Sequence, residues 1–359
     1  MEKYYMAAMG GADGLGNKSI AQLIKYFGSA KEAWFAKEAD LLNSGVRKNS
    51  IGAFITWRKK YPDAPENLIG YCDRQKINLC CISDEDYPPI LKEIDSPPMF
   101  FYYRGILEPL AERIGIVGTR HNTAYGQGVA LELGEELAAA GLTVVSGAAR
   151  GIDTFAHRGA LKSGRTVAVL GNGINFIFPP ENKKLLEEIA ECGVVLSEFP
   201  PQLPPNHGTF PQRNRIIAGL CRGVIVVEAN KGSGALITSN FAGDYGRDVF
   251  AIPGQIYAEK SKGCNELIRD GATLIKSAQD VLDEYNIEIY EIKNKIVKTV
   301  ELEGIAAKIF EIIPSDDFIS EDDILDKFLE INPGELSEIM IELDLKGCIV
   351  EKSGRYKRK

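Results

Sequence analysis

Residues 143–173 read TVVSGAARGIDTFAHRGALKSGRTVAVLGNG, and this stretch decides the fold. It opens on the short β-branched run Thr143-Val144-Val145-Ser146 and ends with a second apolar run, Thr166-Val167-Ala168-Val169-Leu170. A glycine-rich loop and a segment with helical spacing lie between the two runs. Strand, glycine loop, helix and strand in this order predict a βαβ unit, in which the two strands are parallel.

The same alternation of strand and helix extends through residues 75–290. Further apolar runs are short and continuous, as expected of strands buried on both faces. They lie at 115–118, 194–196, 223–227, 249–252 and 273–275, and segments with helical spacing, such as 128–140 and 182–191, separate them. The pattern predicts an α/β domain with a doubly wound, mostly parallel sheet, whose ligand site lies at the strand C-termini.

Helical signals dominate residues 1–70 and surround two tight glycine turns. The turn at 14–18 (GLGNK) and the turn at 44–48 (SGVRK) each lead into an apolar helical pattern. Paired helices joined by such turns resemble the helix-hairpin-helix motifs of SAM-like domains. In a DNA-binding motif of this kind the turn contacts a phosphate. A helical packing module with solvated lysines is the alternative, and glycine turns serve that purpose more commonly.

Residues 295–359 have a different character, with three helical segments followed by a small hairpin. The helical segments lie near 301–313, 320–330 and 333–346, and the hairpin spans 348–357. This order looks like a winged helix. The candidate recognition helix carries Glu335, Glu338, Glu342 and Asp344 against the single Lys346. Such a face would repel DNA, so a protein-contact role is predicted for this domain.

Composition places the chain among soluble globular proteins. Of 359 residues, 45% are hydrophobic and 26% are charged, and no apolar run approaches the roughly 18 residues that a membrane span needs. The N-terminus lacks the apolar stretch of a signal peptide. Seven cysteines form no CxxC pair, and three histidines are scattered at 121, 157 and 207. We therefore expect a cytoplasmic protein with reduced thiols, no metal site and no membrane partner.

The net charge of −8 does not argue against nucleic-acid binding, because the excess is confined to one end. Residues 1–110 hold 14 basic and 14 acidic side chains, and residues 111–280 hold 17 of each. Residues 281–359 hold 11 basic and 19 acidic side chains. Local clustering of cations, rather than their sum, decides phosphate binding.

Four glycine-rich loops follow predicted strands. They contain Gly118-Thr119-Arg120, Ser146-Gly147, Gly171-Asn172-Gly173 and Ser233-Gly234. Several precede helices, where free N–H groups and the helix dipole favour an anion. No GxGxxG follows the first strand of the 115–290 series and no GxxxxGK[ST] occurs, which disfavours a dinucleotide cofactor and a P-loop NTPase. We predict a phosphate-binding edge without a cofactor.

Cations and an aromatic residue accompany these loops. Arg120 directly follows a strand, Lys183 and Lys184 open a helix, and the segment 210–215 reads FPQRNR. Its members Phe210, Arg213, Asn214 and Arg215 join the candidate site. Arginine binds phosphate through a planar fork, and aromatic rings stack on unpaired bases. The set predicts a groove for a single-stranded chain, although the lysine pair alone also fits a solvated helix face.

Candidate catalytic groups are scarce. Ser146 has no evident general base, and no pair of carboxylates has acid–base spacing. Asp153 and His157 stand at i, i+4 on one helix, which fits a polar relay or, more commonly, a structural hydrogen bond. The sequence therefore predicts a binding surface and not an enzyme.

Several blocks between residues 80 and 285 occur in the order found in one known family. They include GIVGTRHNTAYG (115–126), SGAARGIDTFAHRGAL (146–161), TVAVLGNGINFIFPPEN (166–182), FPQRNRIIAGL (210–220) and GCNELIRDGA (263–272). The chain closely resembles the DNA-processing protein A family, DprA or Smf. The resemblance implies an extended Rossmann domain over 75–290, a SAM-like domain over 1–70 and a winged-helix domain over 295–359.

The resemblance also implies a function. Members are single-stranded DNA-binding proteins of natural transformation, which protect incoming strands and load the RecA recombinase onto them, with no established catalytic activity. Arg120 corresponds to the family's DNA-contacting arginine, and Lys183 or Lys184 with the segment 213–215 matches its basic pocket. Members form homodimers through the Rossmann domain. We expect the interface at Ile268 and Leu274, on the last predicted strand and the helix before it.

Two other functions stay open at this point. One is a nucleotide-binding Rossmann enzyme related to nucleoside phosphate hydrolases, which carry a PGGxGTxxE signature. Residues 253–257 (PGQIY) lack both its glycine run and its acid. The other is a scaffold, in which the terminal domains dock proteins. One departure from the family is Ala149-Arg150, where a small residue often precedes the glycine.

Overall fold

A computed structural model of the chain describes residues 1–287, 305–314, 318–328, 331–345, 349–352 and 355–358. The chain divides into two compact units, Met1–Ile287 and Glu288–Lys359. Among the described residues, no helix has both the length and the apolar character needed to cross a membrane.

The first unit is built on a nine-stranded sheet. Its strands are β1 (Asn78–Cys81), β2 (Phe100–Gly105), β3 (Arg113–Val117), β4 (Thr143–Ser146), β5 (Thr166–Val169), β6 (Val194–Ser197), β7 (Gly223–Val226), β8 (Asp248–Ala251) and β9 (Thr273–Leu274). Their spatial order is β1-β2-β6-β5-β4-β3-β7-β8-β9. All pairs among β3 to β9 are parallel. The predicted mostly parallel α/β sheet is therefore confirmed.

The strands are buried on both faces, as their continuous apolar runs predict. Val167 and Val169 of β5 pack in one hydrophobic cluster, and Ala168 between them packs in the cluster on the other face. Successive side chains of a strand point to opposite faces, so a strand between two layers has to be apolar throughout.

Two antiparallel strands extend the sheet beyond the seven predicted ones. β1 pairs with β2, and β2 pairs with β6. Their sequences NLCC and FFYYRG lack the Val- and Ile-rich pattern of the other strands, which explains why they were not predicted. The pairing covers the edge of β6, whose N–H and C=O groups would otherwise stay unpaired.

Fourteen helices are described in the first unit. They are α1 (Glu2–Met9), α2 (Asn17–Phe27), α3 (Ala30–Phe35), α4 (Glu38–Leu42), α5 (Lys48–Lys60), α6 (Ala64–Gln75), α7 (Pro89–Lys92), α8 (Ala124–Ala139), α9 (Ile152–Ala160), α10 (Lys183–Cys192), α11 (Thr209–Leu220), α12 (Gly234–Asp244), α13 (Lys262–Arg269) and α14 (Ala278–Glu284). Those between β3 and β9 connect the parallel strands, as a doubly wound sheet requires.

The N-terminal helices share a hydrophobic cluster with the sheet. Trp34 and Phe54 belong to the same cluster as Phe100 of β2 and Ala168 of β5. The predicted boundary between residues 1–70 and 75–290 thus separates two parts of one compact unit, because burial of these side chains joins the helices to the sheet.

Both predicted glycine turns lie between helices. Gly14 and Gly45 have φ values of +82° and +78°, a left-handed conformation that glycine adopts without strain. The first turn is docked within the unit: Asn17 Nδ2 donates to Glu198 Oε1 over 2.7 Å, and Asn17 Oδ1 accepts from Met99 N–H over 3.2 Å. At this turn the contacts favour the packing role over phosphate binding.

The second unit contains helices and a small antiparallel sheet. The described elements are α15 (Ile305–Ile312), β10 (Ile319–Ser320), α16 (Glu321–Leu325), α17 (Pro333–Leu345), β11 (Ile349–Lys352) and β12 (Arg355–Arg358), with strand order β10-β12-β11. Ile309, Leu336 and Met340 lie in its core. Lys346, the start and turn of the predicted hairpin, and the predicted domain bounds at 290 and 295 lie outside the described residues. The winged helix stays a prediction.

Candidate nucleic-acid interface

A crevice of about 380 Å³ opens at the C-terminal edge of the sheet, beside the ends of β3 and β7. The order of the strands reverses here, since β4 to β6 continue on one side of β3 and β7 to β9 on the other. Doubly wound sheets bind ligands at such a switch point. The crevice collects eight of the predicted site residues: Gly118, Thr119, Arg120, Phe210, Arg213, Asn214, Ser233 and Gly234.

The rim of the crevice carries a cluster of one guanidinium and two aromatic rings, which continues into the smaller adjoining cavity. Arg120 Cζ lies 5.2 Å from the centroid of the Phe210 ring. The ring centroids of Phe210 and Phe178 are 5.6 Å apart, with 32° between their planes. Arg120 is exposed and both rings are half-buried. The rim therefore presents a cation and an aromatic surface side by side.

The loop after β3 takes its shape from the buried Glu228, two residues past β7. The N–H of Thr119 donates to the Glu228 carbonyl over 2.8 Å. The Glu228 carboxylate accepts from the N–H and the hydroxyl of Thr123, over 2.9 and 2.5 Å. Thr123 caps α8 by accepting from the N–H of Gly126 over 3.0 Å. Both carboxylate oxygens are thus engaged, and Arg120 extends from a well-anchored loop.

The floor of the crevice contains the buried Arg213. Its Nη1 donates to the Gly147 carbonyl over 2.6 Å and also to the Val169 carbonyl, and its Nε donates to Asn214 Oδ1 over 3.1 Å. Position 147 requires glycine, because a Cβ would collide with the guanidinium. Burial lowers the pKa of Arg213 to about 10, and the charge of Asp153 opposes this shift. Arg213 therefore stays charged at neutral pH.

Asp153 lies in the loop–helix junction after β4. Its Oδ2 accepts from the N–H groups of Gly147 and Ala149 over 3.2 and 3.3 Å. Burial raises the pKa of Asp153, and the charge of Arg213 acts in the opposite direction. The junction is tight: Gly151 has φ +78°, and a Cβ there would collide with the Thr119 carbonyl. The loops after β3 and β4 therefore meet in a fixed arrangement.

Asp153 and His157 share no hydrogen bond, contrary to both sequence interpretations of this pair. His157 Nδ1 lies 2.6 Å from Thr166 Oγ1, and that hydroxyl donates to the Val144 carbonyl over 2.7 Å. Because the hydroxyl has a single hydrogen, Nδ1 carries the ring proton. Nε2 is then a buried acceptor with no partner among the described residues. Burial lowers the pKa of His157 to about 3, so the ring is neutral and structural.

The N-terminus of α12 forms the opposite wall. Ser233 Oγ accepts from the N–H of Ala235 over 3.4 Å, and Asn214 Nδ2 donates to the Gly234 carbonyl over 3.1 Å. Asn214 therefore ties α11 to the start of α12. A helix N-terminus that opens into a cleft attracts a negative group.

Five predicted site residues do not line the crevice. Ser146 is fully buried, and its hydroxyl donates to the Ile116 carbonyl over 2.6 Å. Lys183 and Lys184 lie exposed on α10 within 4.0 and 3.5 Å of Glu187 and Glu188. Arg215 points away from the floor and forms an ion pair with Glu198. Gly147 borders a smaller adjoining cavity. The DNA contacts of these residues stay predictions.

The proposed dimer residues lie at the other end of the sheet. β9 is an edge strand, as expected, and Leu274 on it is 44% exposed. Ile268 on α13 is partly buried against a hydrophobic cluster of the sheet. The interface itself stays a prediction.

Three of the residues that sequence reasoning left out of the site are aromatic or histidine residues. Phe178 completes the aromatic cluster, and His121 and His207 line the crevice. The aromatic string NFIF at 175–178 was the available signal for Phe178. Arg150, at the departure from the family pattern, forms an exposed ion pair with Glu181, with Nη2 and Oε2 3.1 Å apart.

Sequence comparison decides the family. Residues 78–286 match the model of the DNA recombination-mediator protein A family. The chain belongs to this family. The DNA processing protein DprA of Streptococcus pneumoniae is 46% identical over 279 residues, which are 76% of this chain and 94% of that protein.

Solved DprA structures are similar to this chain. The X-ray structure of DprA from Streptococcus pneumoniae has a TM-score of 0.70 and 38% identity, and the match covers 79% of this chain and 98% of that one. DNA processing protein A from Helicobacter pylori has a TM-score of 0.53 and 29% identity, with 58% and 95% covered. That structure describes the single-stranded DNA binding mode of the Helicobacter protein. The mixed α/β sheet is thus the Rossmann-like fold of the DprA family.

Proposed function

We propose that this recombination mediator binds single-stranded DNA along the C-terminal edge of its sheet. The observation that carries the proposal is the cluster of Arg120, Phe210 and Phe178 beside the crevice. A nucleotide in an unpaired strand offers a charged phosphate and an apolar base face. Arg120 and the α12 N-terminus supply partners for the phosphate, and the aromatic rings supply one for the base.

The geometry favours a single strand over a duplex. Base faces in a duplex are already stacked on each other, so an aromatic rim has no face to bind. Sequence-specific duplex binding commonly places a helix or a β-ribbon in the major groove, whereas this site is a concave crevice. The Helicobacter pylori relative, described by its single-stranded DNA binding mode, supports the same ligand class here.

We also propose a specific cellular role, which is the role of the family. The protein protects incoming single strands during natural transformation and loads the RecA recombinase onto them, in the cytoplasm and without a catalytic step or cofactor. Membership of a recombination-mediator family supports this role. The acidic start of α17, with Glu335 and Glu338, suits contact with a protein better than contact with DNA.

Gel shift of the purified protein on single-stranded and duplex oligonucleotides tests the proposal. We expect preferential binding of single strands with little sequence preference. The logarithm of affinity should fall with the logarithm of salt concentration at a slope of roughly −2 to −4, for about three to six neutralised phosphates. Equal binding to duplex, or binding independent of salt, would contradict the proposal.

The same preparation tests the alternative of a nucleotide enzyme related to nucleoside phosphate hydrolases. Glu228 is a buried acid beside the loops of the crevice, and Thr123 engages both of its carboxylate oxygens. We therefore expect no turnover of nucleoside phosphates. Turnover that rises in proportion to protein concentration would sink the non-enzymatic assignment.

We also propose that the protein is a homodimer with Ile268 and Leu274 in the interface. The exposed edge strand β9 supports this placement, because an uncovered edge invites pairing. The double variant Ile268→Glu with Leu274→Arg should sediment as a soluble monomer that binds DNA more weakly, since two linked sites raise effective concentration. A retained dimer places the interface elsewhere, and aggregation assigns these residues to the core.

A further inference from the structure

A short turn after β8 carries an adjacent pair of strongly exposed apolar side chains. Ile256 is 72% exposed and Tyr257 is 89% exposed. Single exposed apolar residues are common on protein surfaces and need no explanation. This pair is different because it lies at the C-terminal edge of the sheet, the same edge that holds the crevice.

Hydrogen bonds hold the turn in place. Asn265 of α13 binds Gly254 in both directions: the N–H of Gly254 donates to Oδ1 over 3.2 Å, and Nδ2 donates to the Gly254 carbonyl over 3.0 Å. The N–H of Ala258 donates to the Gln255 carbonyl over 3.0 Å and closes the turn. Ile256 and Tyr257 are therefore presented from an anchored backbone.

The segment that directly follows the turn is tied to the loop that forms one wall of the crevice. Ala229, in the loop between β7 and α12, donates its N–H to the Lys260 carbonyl over 2.8 Å and accepts from the N–H of Gly263 over 2.8 Å. The same loop continues to Ser233 and Gly234, which line the crevice. Neighbouring strands lie about 4.8 Å apart, so a chain that leaves the crevice toward β8 passes the turn.

One of the three lysines near the turn is left for a phosphate, because the other two form ion pairs. Lys231 lies 2.6 Å from Glu266, and Lys262 pairs with Glu259. Within the part of the chain that the structure describes, Lys260 has no carboxylate at ion-pair distance. A stable protein interface buries roughly 800 Å² on each partner, and two apolar side chains offer far less surface area than that. A strand of nucleic acid fits this surface better than a second protein does.

We infer that Tyr257 is a second stacking site, where an unpaired base of the strand held in the crevice lies on the tyrosine ring. Ile256 extends the apolar surface beside the ring, and Lys260 attracts the adjoining phosphate. The inference rests on the proposed function, because it extends the path of the same single strand across β8. It assigns a path to the strand across the protein surface, from the rim at Arg120 past the start of α12 to the turn.

Two variants and a matched control test the inference. Tyr257→Ser removes the ring, and Tyr257→Phe keeps it. Leu110→Ser is the control, because Leu110 is 82% exposed but precedes β3 and so lies at the opposite edge of the sheet. With an oligothymidylate of about 15 nucleotides, Tyr257→Ser should weaken binding about 5- to 140-fold, the loss of one stacked base. Tyr257→Phe and Leu110→Ser should bind as the unaltered protein does.

Photocrosslinking identifies the group that lies on the ring. An oligonucleotide that contains 5-bromodeoxyuridine should give an adduct at Tyr257 of the full-length protein. If the unaltered protein binds no single strand, the proposed function itself fails. If it binds while Tyr257→Ser binds equally well, only the second site fails. Loss of affinity in Tyr257→Ser together with a change from dimer to monomer in sedimentation would assign the turn to a subunit contact and overturn the inference.

Discussion

Arg120 and Arg213 lie at one crevice, yet their surroundings differ in every respect that matters for binding. Arg120 is exposed on the rim and rests against the face of Phe210. Arg213 is 4% exposed on the floor, its Nη1 donates to the carbonyls of Gly147 and Val169, and its Nε donates to Asn214. The first guanidinium can turn its donors to a ligand, whereas Nη1 and Nε of the second cannot do so without leaving their buried partners unpaired.

In the sequence, Arg120 and Arg213 both count as candidate phosphate ligands. Their different burial indicates that they have two different roles, ligand binding at the rim and support of the site at the floor. The rim should determine affinity, because its groups become desolvated and paired only when the strand binds. The floor should determine the shape of the site and the stability of the fold, because its groups are paired before binding. Variants on the two levels should therefore change different measurements.

The largest effect is expected for Arg213→Met, which should lower the free energy of unfolding by about 3–5 kcal/mol. The variant removes a buried charge near Asp153 and leaves the Gly147 and Val169 carbonyls without their donor. Urea denaturation measures the change. Arg150→Met, which alters an exposed ion pair, is the control and should leave stability unchanged. If Arg213→Met were stable but bound DNA poorly, the floor would have to contact the ligand directly.

Arg120→Ala should act in the opposite way, with weaker single-stranded DNA binding and an intact fold. Loss of a charge-assisted hydrogen bond to phosphate should cost about 1.5–3 kcal/mol of binding free energy. Fluorescence titration gives the affinity, and circular dichroism checks the fold. A normal spectrum with unchanged affinity would move the phosphate site away from the rim.

The buried His157 should make the stability of the fold depend on pH. Its folded pKa of about 3 lies below the ordinary value of about 6.5, so the unfolded state takes up the proton between these values. Stability should therefore fall as pH drops from about 6.5 toward 3, by up to about 1.4 kcal/mol per pH unit, and this group should contribute no slope above that window.

The variant His157→Asn isolates this contribution. Asparagine keeps an N–H donor for Thr166 Oγ1 but does not titrate. Asp153, whose burial raises its pKa, is present in both proteins and cancels in the difference. If the assignment is right, the free energies of unfolding of the unaltered protein and the variant should approach each other as the pH falls from about 7 to 4. A difference in free energy of unfolding that stays constant over this pH range would mean that His157 is not the group that titrates.

The smallest effect is expected for the double variant Lys183→Ala with Lys184→Ala. Both ammonium groups are exposed, lie near Glu187 and Glu188, and do not line the crevice. Salt screens such charges over about 8 Å, so affinity at physiological salt should change less than about twofold. A loss of affinity as large as that of Arg120→Ala would mean that α10 also belongs to the DNA-binding surface.

Much of the fold follows from local sequence patterns. Continuous apolar runs predicted all seven parallel strands, because a strand between two layers is apolar at every position, as Val167, Ala168 and Val169 are. Glycine at the strand ends predicted the edge where the crevice lies. Both signals are properties of a few consecutive residues. The strands β1 and β2 escaped prediction because their sequences, NLCC and FFYYRG, lack the runs of Val and Ile that mark the other strands.

Only the tertiary structure decided which cations face the crevice. Arg213 and Arg215 belong to one motif, but residues two apart on a helix point about 200° apart, so one reaches the floor and the other pairs with Glu198. Phe178 joined Phe210 through contacts between a loop and a helix more than thirty residues further along the chain. The sequence by itself determined the residue types and the edge of the sheet at which they gather. Their burial and partners depend on how separate elements pack, and this set which groups stay free to bind and which hold the fold.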